Sequence, residues 1–407
     1  MKFTSYQKTV IAILAFLQFT IILDFMVISP LGAILMPALK ITPAQFGTVV
    51  SAYAFSASIS GLLAAGIADR FDRKKLLAFF YAGFIFGTLL CGVAASFHFL
   101  LFARIVTGIF GGVIGSVVLA IATDLFPMEM RGRVMGIVQS AFAASQVLGI
   151  PAGLYLSNLW GWRAPFIMIV AIGALVGVAI FILLKPVDDH LKLQTNRRAI
   201  QHLISTLTDR RHTLALASTA LLSTGGFMLM PFASAYSVHN LGIDMEHLPL
   251  VYLMTGIAAL IAGPLIGRAA DFYGKFKVFA FGCCLTVPMV IIYTHLSITP
   301  LHWVILINVV MFVGIFSRII PSQALISAIP AVANRGSFMA VSSALQQMSG
   351  GLAAVVAGLI VVENNNGELL HFEDIGYIIV GTTLTTMVMM YFINRSAMKN
   401  LPQQKPV

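Results

Sequence analysis

The segment Ala68-Asp69-Arg70-Phe71-Asp72-Arg73-Lys74-Lys75 recurs 202 positions later as Ala270-Asp271-Phe272-Tyr273-Gly274-Lys275-Phe276-Lys277. Each copy closes one long apolar run and opens another. A second anchor, Arg131-Gly132, returns 204 positions on as Arg335-Gly336, again at the head of an apolar run. Two anchors at nearly constant offset, in equivalent loops, mark an internal duplication.

Outward from these anchors the chain is a series of apolar runs, near 9–37, 44–67, 76–95, 98–124, 133–157 and 164–184. The second series lies near 213–238, 248–268, 278–296, 301–327, 336–362 and 374–394. The 407 residues are 59% hydrophobic and only 10% charged, with mean hydropathy +0.94. A globular chain is roughly a quarter charged, so two or three soluble domains are excluded. At roughly twenty apolar residues per bilayer crossing, the runs predict an all-α polytopic membrane protein with twelve transmembrane helices. The duplication divides it into two six-helix halves, 1–184 and 213–407, joined by a charged linker over 185–212. Six is an even number, so the halves share one orientation about an axis along the membrane normal, with a central cavity between them. Cys91, Cys283 and Cys284 all sit in apolar runs, which excludes a disulfide scaffold.

The net charge of +10 is explained by topology. When loops are assigned alternately, one side collects Lys2, Lys8, the 70–75 cluster, Arg131, Arg133, the linker, Arg268, Lys275, Lys277, Arg335, Arg395, Lys399 and Lys405. The other holds only Lys40 and Arg163, together with Asp244, Glu246, Glu363, Glu368, Glu373 and Asp374. Positive charge marks the cytoplasmic side, so both termini are expected there, and a nucleic-acid partner has nothing left to explain. The first run is too long for a signal peptide and contains Asp24 and Pro30.

The loop and span motifs carry a family resemblance. Asp69, Arg70, Lys74 and Lys75 match the Gly-x-x-x-Asp-Arg-x-Gly-x-Arg-Arg signature of major facilitator superfamily transporters, with Ala65 and Asp72 at the two glycine positions. The second copy keeps Gly267, Asp271 and Gly274. Arg104 and Gly108 match a fourth-span Arg-x-x-x-Gly signature. Gly149-Ile150-Pro151-Ala152-Gly153 is an altered form of the fifth-span glycine-proline motif of antiporters. The chain thus resembles that superfamily over its whole length, most of all the bacterial drug:proton antiporter and arabinose-efflux-permease-like branch. The resemblance implies a multi-pass protein of the bacterial inner membrane that moves a small molecule by alternating access, coupled to protons. It also implies a cytoplasmic gate around Asp69, Arg70, Lys74, Asp271 and Lys275, where basic groups of one helix tie down the acid of another.

Among fifteen acidic residues only Asp24 lies well inside an apolar run, and an ionisable group there is costly enough to be a functional candidate by default. Arg104 falls at a similar depth and is its natural partner. Lost hydration favours a neutral acid while a guanidinium favours the carboxylate, the competition a proton-coupling pair requires; a purely structural ion pair is the alternative. Near the equivalent second-half positions stand Phe227 and Asn308, and Arg318 lies deeper with no identifiable acid. Gln18, Gln146, Phe227, Met230, Phe232, Tyr236, Asn308, Arg318 and Gln346 are candidates to line the substrate cavity, the Met and Phe offering a soft apolar wall. Gly149, Pro151 and Gly153 allow the fifth span to bend and approach a neighbour.

No Walker A loop, His-Glu-x-x-His pair or Gly-x-Ser-x-Gly elbow is present, so neither an ATP-driven pump in this chain nor an enzyme is expected, and no cofactor or metal. The expected partners are a small, partly apolar substrate, protons and the lipid bilayer, with the chain acting as a monomer. Rival readings are a sugar or lysolipid exporter, a proton symporter of the same fold, or a non-transporting sensor or scaffold.

Overall fold

The computed structural model describes residues 3–64, 71–188, 191, 210–330 and 335–399. Twelve of its helices are long and apolar enough to cross a membrane: α1 (Ser5–Val27), α2 (Pro43–Ala64), α3 (Arg73–Val93), α4 (Phe97–Leu125), α5 (Glu129–Trp160) and α6 (Ala164–Leu183), then α7 (His212–His239), α8 (Leu248–Tyr273), α9 (Lys275–Thr294), α10 (Leu301–Ile326), α11 (Phe338–Ile360) and α12 (Phe372–Arg395). Helices prevail because in hydrocarbon every backbone polar group needs an internal partner. Helix starts are fixed locally: Thr4 and Gln7 cap α1 reciprocally, the Asp72 carboxylate accepts from Lys74 N, and Ser96 Oγ accepts from Phe99 N. Below, "inner" denotes the end of the bundle that carries the N-terminal segment and the Arg73–Lys75 loop, and "outer" the opposite end.

Two spans depart from the runs read in the sequence. The 9–37 run is not one helix: α1 ends at Val27, a turn carries Ser29 and Pro30, and a short helix Gly32–Leu39 follows. In α7 the turn at Met230-Pro231-Phe232 separates Arg210–Leu229 from Ala233–His239. In both, proline removes a backbone donor. Pro30 and Pro231 are 201 positions apart, so these breaks repeat the duplication, and they meet: Ser234 Oγ donates to Ser29 O at 3.2 Å, and a Cβ on Gly32 would stand 3.1 Å from Pro231 O.

The apolar core is distributed unequally along the bundle. At the outer end one cluster contains residues of both halves, among them Leu23, Val27, Phe46 and Val50 of the first and Met228, Phe232, Ala354 and Phe372 of the second. Toward the inner end the buried clusters are separate, although Leu62 of α2 still packs against the second-half one. Val10, Leu14, Leu77, Tyr81, Val117 and Ile180 belong to a first-half cluster, and Phe279, Cys283, Leu325, Phe338 and Met390 to a second-half one.

Small residues set the seam between halves, as expected where lipid supplies no hydrophobic drive and close backbone approach must hold helices together. α2 and α11 touch along most of their length: a Cβ on Gly47 would lie 2.5 Å from Ala354 O and one on Gly358 2.7 Å from Pro43 O, while Ser58 Oγ donates to Ala344 O at 2.8 Å. α5 and α8 meet mainly in their outer halves, where a Cβ on Gly256 would stand 2.9 Å from Gln146 O. Farther in they diverge, and Cβ atoms on Gly132, Gly136, Gly263 and Gly267 would meet nothing within 4 Å. A two-stranded hairpin, Val362–Glu363 with Leu369–Leu370, lies at the outer end. Asn240 holds it, donating from Nδ2 to Leu369 O and accepting from Leu369 N.

Candidate functional site

Asp24 sits on the last turn of α1 before the proline break, and Arg104 two turns into α4. Their side chains meet: Arg104 Nη1 lies 2.9 Å from Asp24 Oδ2, and both residues are fully buried. Nη1 also lies 3.4 Å from Asp24 O. The other carboxylate oxygen accepts from Thr88 Oγ1 of α3 at 3.0 Å, and the same hydroxyl lies 3.0 Å from Phe84 O one turn back. A hydroxyl has one hydrogen, so Thr88 serves one acceptor at a time. The Tyr53 ring of α2 lies under the guanidinium, 4.6 Å from Arg104 Cζ, and the Cys91 thiol of α3 is beside it. Four helices therefore form a charge cage in which Arg104 Nε and Nη2 have no hydrogen-bond partner among the described residues.

Glycines bring these helices close enough. A Cβ on Gly87 would fall 2.8 Å from Thr107 N and one on Gly108 2.6 Å from Tyr53 O, so α3 and α2 approach α4 at backbone distance on either side of Arg104. Thr88 and Tyr53 were invisible in the sequence. A threonine in an apolar span usually bonds its own helix, and Tyr53 is one of ten tyrosines.

α5 runs past the cage. Its bend is a π-helical turn, Ser145–Gly149, directly ahead of Pro151. Gly149 and Gly153 press on α1: their Cβ atoms would lie 2.6 Å from Leu23 Cδ1 and 3.0 Å from Val27 Cγ2. Inside that turn Gln146 is buried, and its Nε2 reaches the Met26 sulfur at 3.7 Å. Phe227 of α7 faces Phe25 of α1, with ring centroids 5.7 Å apart. Phe25 packs in turn on Tyr53 at 5.2 Å. This aromatic chain links the cage to the other half.

Several expected cavity residues have other duties. Phe232 is fully buried in the shared outer core against Phe46. Tyr236 is stacked on Phe372 at 4.0 Å and its hydroxyl donates to Leu296 O at 2.8 Å. Both are packing residues, because the break at Pro231 turns the segment that carries them into the outer seal. Asn308 is buried with Nδ2 bonded to Val304 O of its own helix. Met230 packs against the shared core, and Gln18 is half-buried. Arg318 is almost wholly buried within the second half, beside Cys283. Gln346 is exposed, and so are Ser116, Gln139, Ser140 and Ser343 in the inner stretches of α4, α5 and α11. Polar side chains are costly against lipid tails, so these positions fit a wetted space between the diverging halves; hydropathy averaging hides them.

Only part of the expected gate falls within the described residues. Asp69 and Arg70 lie outside the described residues. Lys74 does not reach across to the other half; its Nζ donates to Phe181 O of α6 at 2.9 Å, because the start of α3 packs beside the end of α6. Asp271 is exposed and Lys275 half-buried, and neither enters an ion pair among the described residues. Arg73, which the sequence did not single out, pairs with Asp124 at 3.3 Å and ties α3 to α4. Among the described residues no group of three or more His, Cys, Asp or Glu could hold a metal.

Comparison with known proteins agrees with this architecture. The chain is similar to the MFS-type transporter YceJ of Bacillus subtilis, 27% identical over 272 residues that cover 66% of this chain and 68% of that one. It is also similar to multidrug resistance protein 2 of the same organism, 22% identical over 77% of this chain and 79% of that one. Other Bacillus subtilis relatives are matched over 56% and 66% of their own lengths. Among solved structures, an inward-facing, unoccupied bacterial homologue of the human lysosomal transporter Spinster superposes with TM-score 0.72 at 16% identity, covering 97% of both chains. The nucleoside transporter NupG gives TM-score 0.73 at 14% identity, covering 95% of this chain and 99% of that one. The sequence model described as "Major Facilitator Superfamily" matches residues 14–354 and again 215–406. With twelve spans in two duplicated halves and that match along almost all its length, the chain belongs to the major facilitator superfamily.

Proposed function

We propose that this transporter exports a small, partly apolar solute in exchange for protons, with Asp24 as the proton carrier and Arg104 as the charge that follows its state. The observation that carries this reading is the Asp24–Arg104–Thr88 cage. Asp24 is the one acid deep in the spans, and its surroundings can bond either protonation form. As a carboxylate it accepts from Arg104 Nη1 and Thr88 Oγ1. As a neutral acid it donates to Thr88 Oγ1, whose hydrogen swings to Phe84 O at equal distance. Protonation therefore leaves the Thr88 bond intact and leaves Arg104 with a charge no longer matched. Breaking one side of a buried pair costs about 3–5 kcal/mol, enough to bias a rearrangement of α1 against α4.

The cage is placed to pass that bias on. α1 carries Asp24 just before the proline break that meets its counterpart from α7, and Gly149 and Gly153 of α5 pack on Leu23 and Val27 of the same turn of α1. With a shared core at the outer end and separate cores inward, the halves are arranged as a transporter closed outside and open inside. The positive inner loops support a cytoplasmic inner side. Similarity to a multidrug resistance protein supports efflux as the direction. A proton entering across 100 mV supplies about 2.3 kcal/mol per charge.

The test is proton release on substrate addition, in weakly buffered detergent, with a panel of cationic drugs, sugars, lysolipids and organic anions. Wild type releases protons with its ligand and Asp24→Asn does not. Ligand binding with no proton signal in wild type would overturn proton coupling.

A further inference from the structure

Arg318 is the second-half charge that the proposed proton cycle does not use. It lies on α10, 5% exposed, beside the Cys283 thiol of α9. α9 and α10 are tightly joined there: Cβ atoms on Gly282 and Gly314 would fall 2.8 Å from Ser317 C and 2.7 Å from Thr286 Oγ1. The Arg318 side chain is thus confined to the interior of its half, where Phe279, Leu325, Phe338 and Met390 form an apolar core. The Cys283 thiol is within hydrogen-bonding reach of the guanidinium, but Nε and Nη2 have no hydrogen-bond partner among the described residues.

No protein acid can match this charge among the described residues. The second-half spans contain only Asp271, exposed near the inner end of α8, and Glu373 and Asp374 at the outer start of α12. Asp374 is already 3.4 Å from His371. Buried charges are otherwise paired, and since no described residue supplies the pair, the site calls for a counter-charge from outside the chain. The vacant atoms indicate its shape. Nε–H and one N–H of Nη2 point the same way from the same edge of the guanidinium, the fork that receives two oxygens of a carboxylate side by side. Arg104 leaves the same edge vacant, but Asp24 already balances it.

We propose that Arg318 is an oxyanion-binding site and that its ligand is a carboxylate. This names the substrate class of the transporter, an organic anion with an apolar body, and so rests on the transport reading; the binding site itself does not depend on proton coupling. The carboxylate is either a small ion from solution or part of the cargo.

Purified full-length protein in chloride- and carboxylate-free buffer is titrated with benzoate, acetate, chloride and the neutral isostere benzamide while its unfolding midpoint is followed. Benzoate is expected to raise the midpoint saturably by a few degrees while benzamide does not. Arg318→Gln removes the response. Cys283→Asp, which builds a carboxylate beside Arg318, raises the midpoint without ligand and also removes the response, so the site remains testable if Arg318→Gln does not fold. Benzoate at least tenfold tighter than acetate assigns the carboxylate to cargo, and equal affinity assigns it to a solution ion. Equal effects of benzoate and benzamide, or a wild-type response in either variant, would overturn the site. The titration is repeated in Asp24→Asn: a response that persists there while proton release is lost separates failure of proton coupling from failure of this site.

Discussion

The two halves repeat a helix order but not a charge. In the first, Arg104 is matched by Asp24 at 2.9 Å and flanked by Thr88, Tyr53 and Cys91. In the second, Arg318 also lies beside a thiol, Cys283, on the preceding helix, yet has no acid among the described residues. The proline breaks put Gly225, two residues before Phe227, in register with Asp24, and the 204-position offset of the second anchor puts Asn308 in register with Arg104. Duplication thus supplied the scaffold, and the halves then diverged at the positions where burial makes charge most consequential. An internally neutral cage responds to a proton, whereas a cation without a counter-ion responds to an anion.

The sharpest break in this comparison comes from removing charges singly. Asp24→Leu orphans Arg104 and is expected to cost about 3–5 kcal/mol of stability, read from denaturant unfolding of purified protein. Arg318→Leu in carboxylate-free buffer orphans nothing and is expected to leave stability unchanged or raised. Equal losses would mean that Arg318 has a protein partner after all. The double variant Asp24→Leu/Arg104→Leu should recover about 1–3 kcal/mol relative to the sum of the single losses, as directly contacting residues do; additive losses would show that the pair is not coupled. Thr88→Val removes one bond to a charged acceptor, about 1.5–3 kcal/mol. It should also shift the pH at which substrate releases a proton, and an unchanged profile would remove Thr88 from the cage. The smallest effects compare helix faces. Gly149→Ala forces Leu23 to move and should cost about 1 kcal/mol, whereas Gly263→Ala meets open space and should stabilise its helix by about the same amount. Thermal unfolding of the two variants in parallel checks the opposite signs.

The span count, the duplication and the candidacy of Asp24 were readable because hydropathy and loop charge are additive along the chain. The break at Pro30 is not legible for the same reason: Val27 to Leu35 stays apolar across the turn, and a hydropathy window does not register a lost hydrogen bond. By residue type alone, Phe232 and Tyr236 read as cavity wall. The turn ahead of them directs both into the outer seal, and nothing in their own identity says so. That Lys74 bonds Phe181 O of α6 is a fact of packing that loop spacing does not encode.

By itself the sequence determined that this chain crosses a membrane twelve times, in two copies of one unit, with a single acid deep in its spans. Those properties follow from transfer free energies and connectivity, which act residue by residue. Only the tertiary structure decided that Asp24 meets Arg104 and Thr88, that Arg318 meets no carboxylate among the described residues, and that α5 and α8 join at the outer end and diverge toward the inner one. Partnership inside a bilayer depends on which helix faces point at each other, and that is set by backbone approach at glycines and turns at prolines, through contacts between residues tens to hundreds of positions apart.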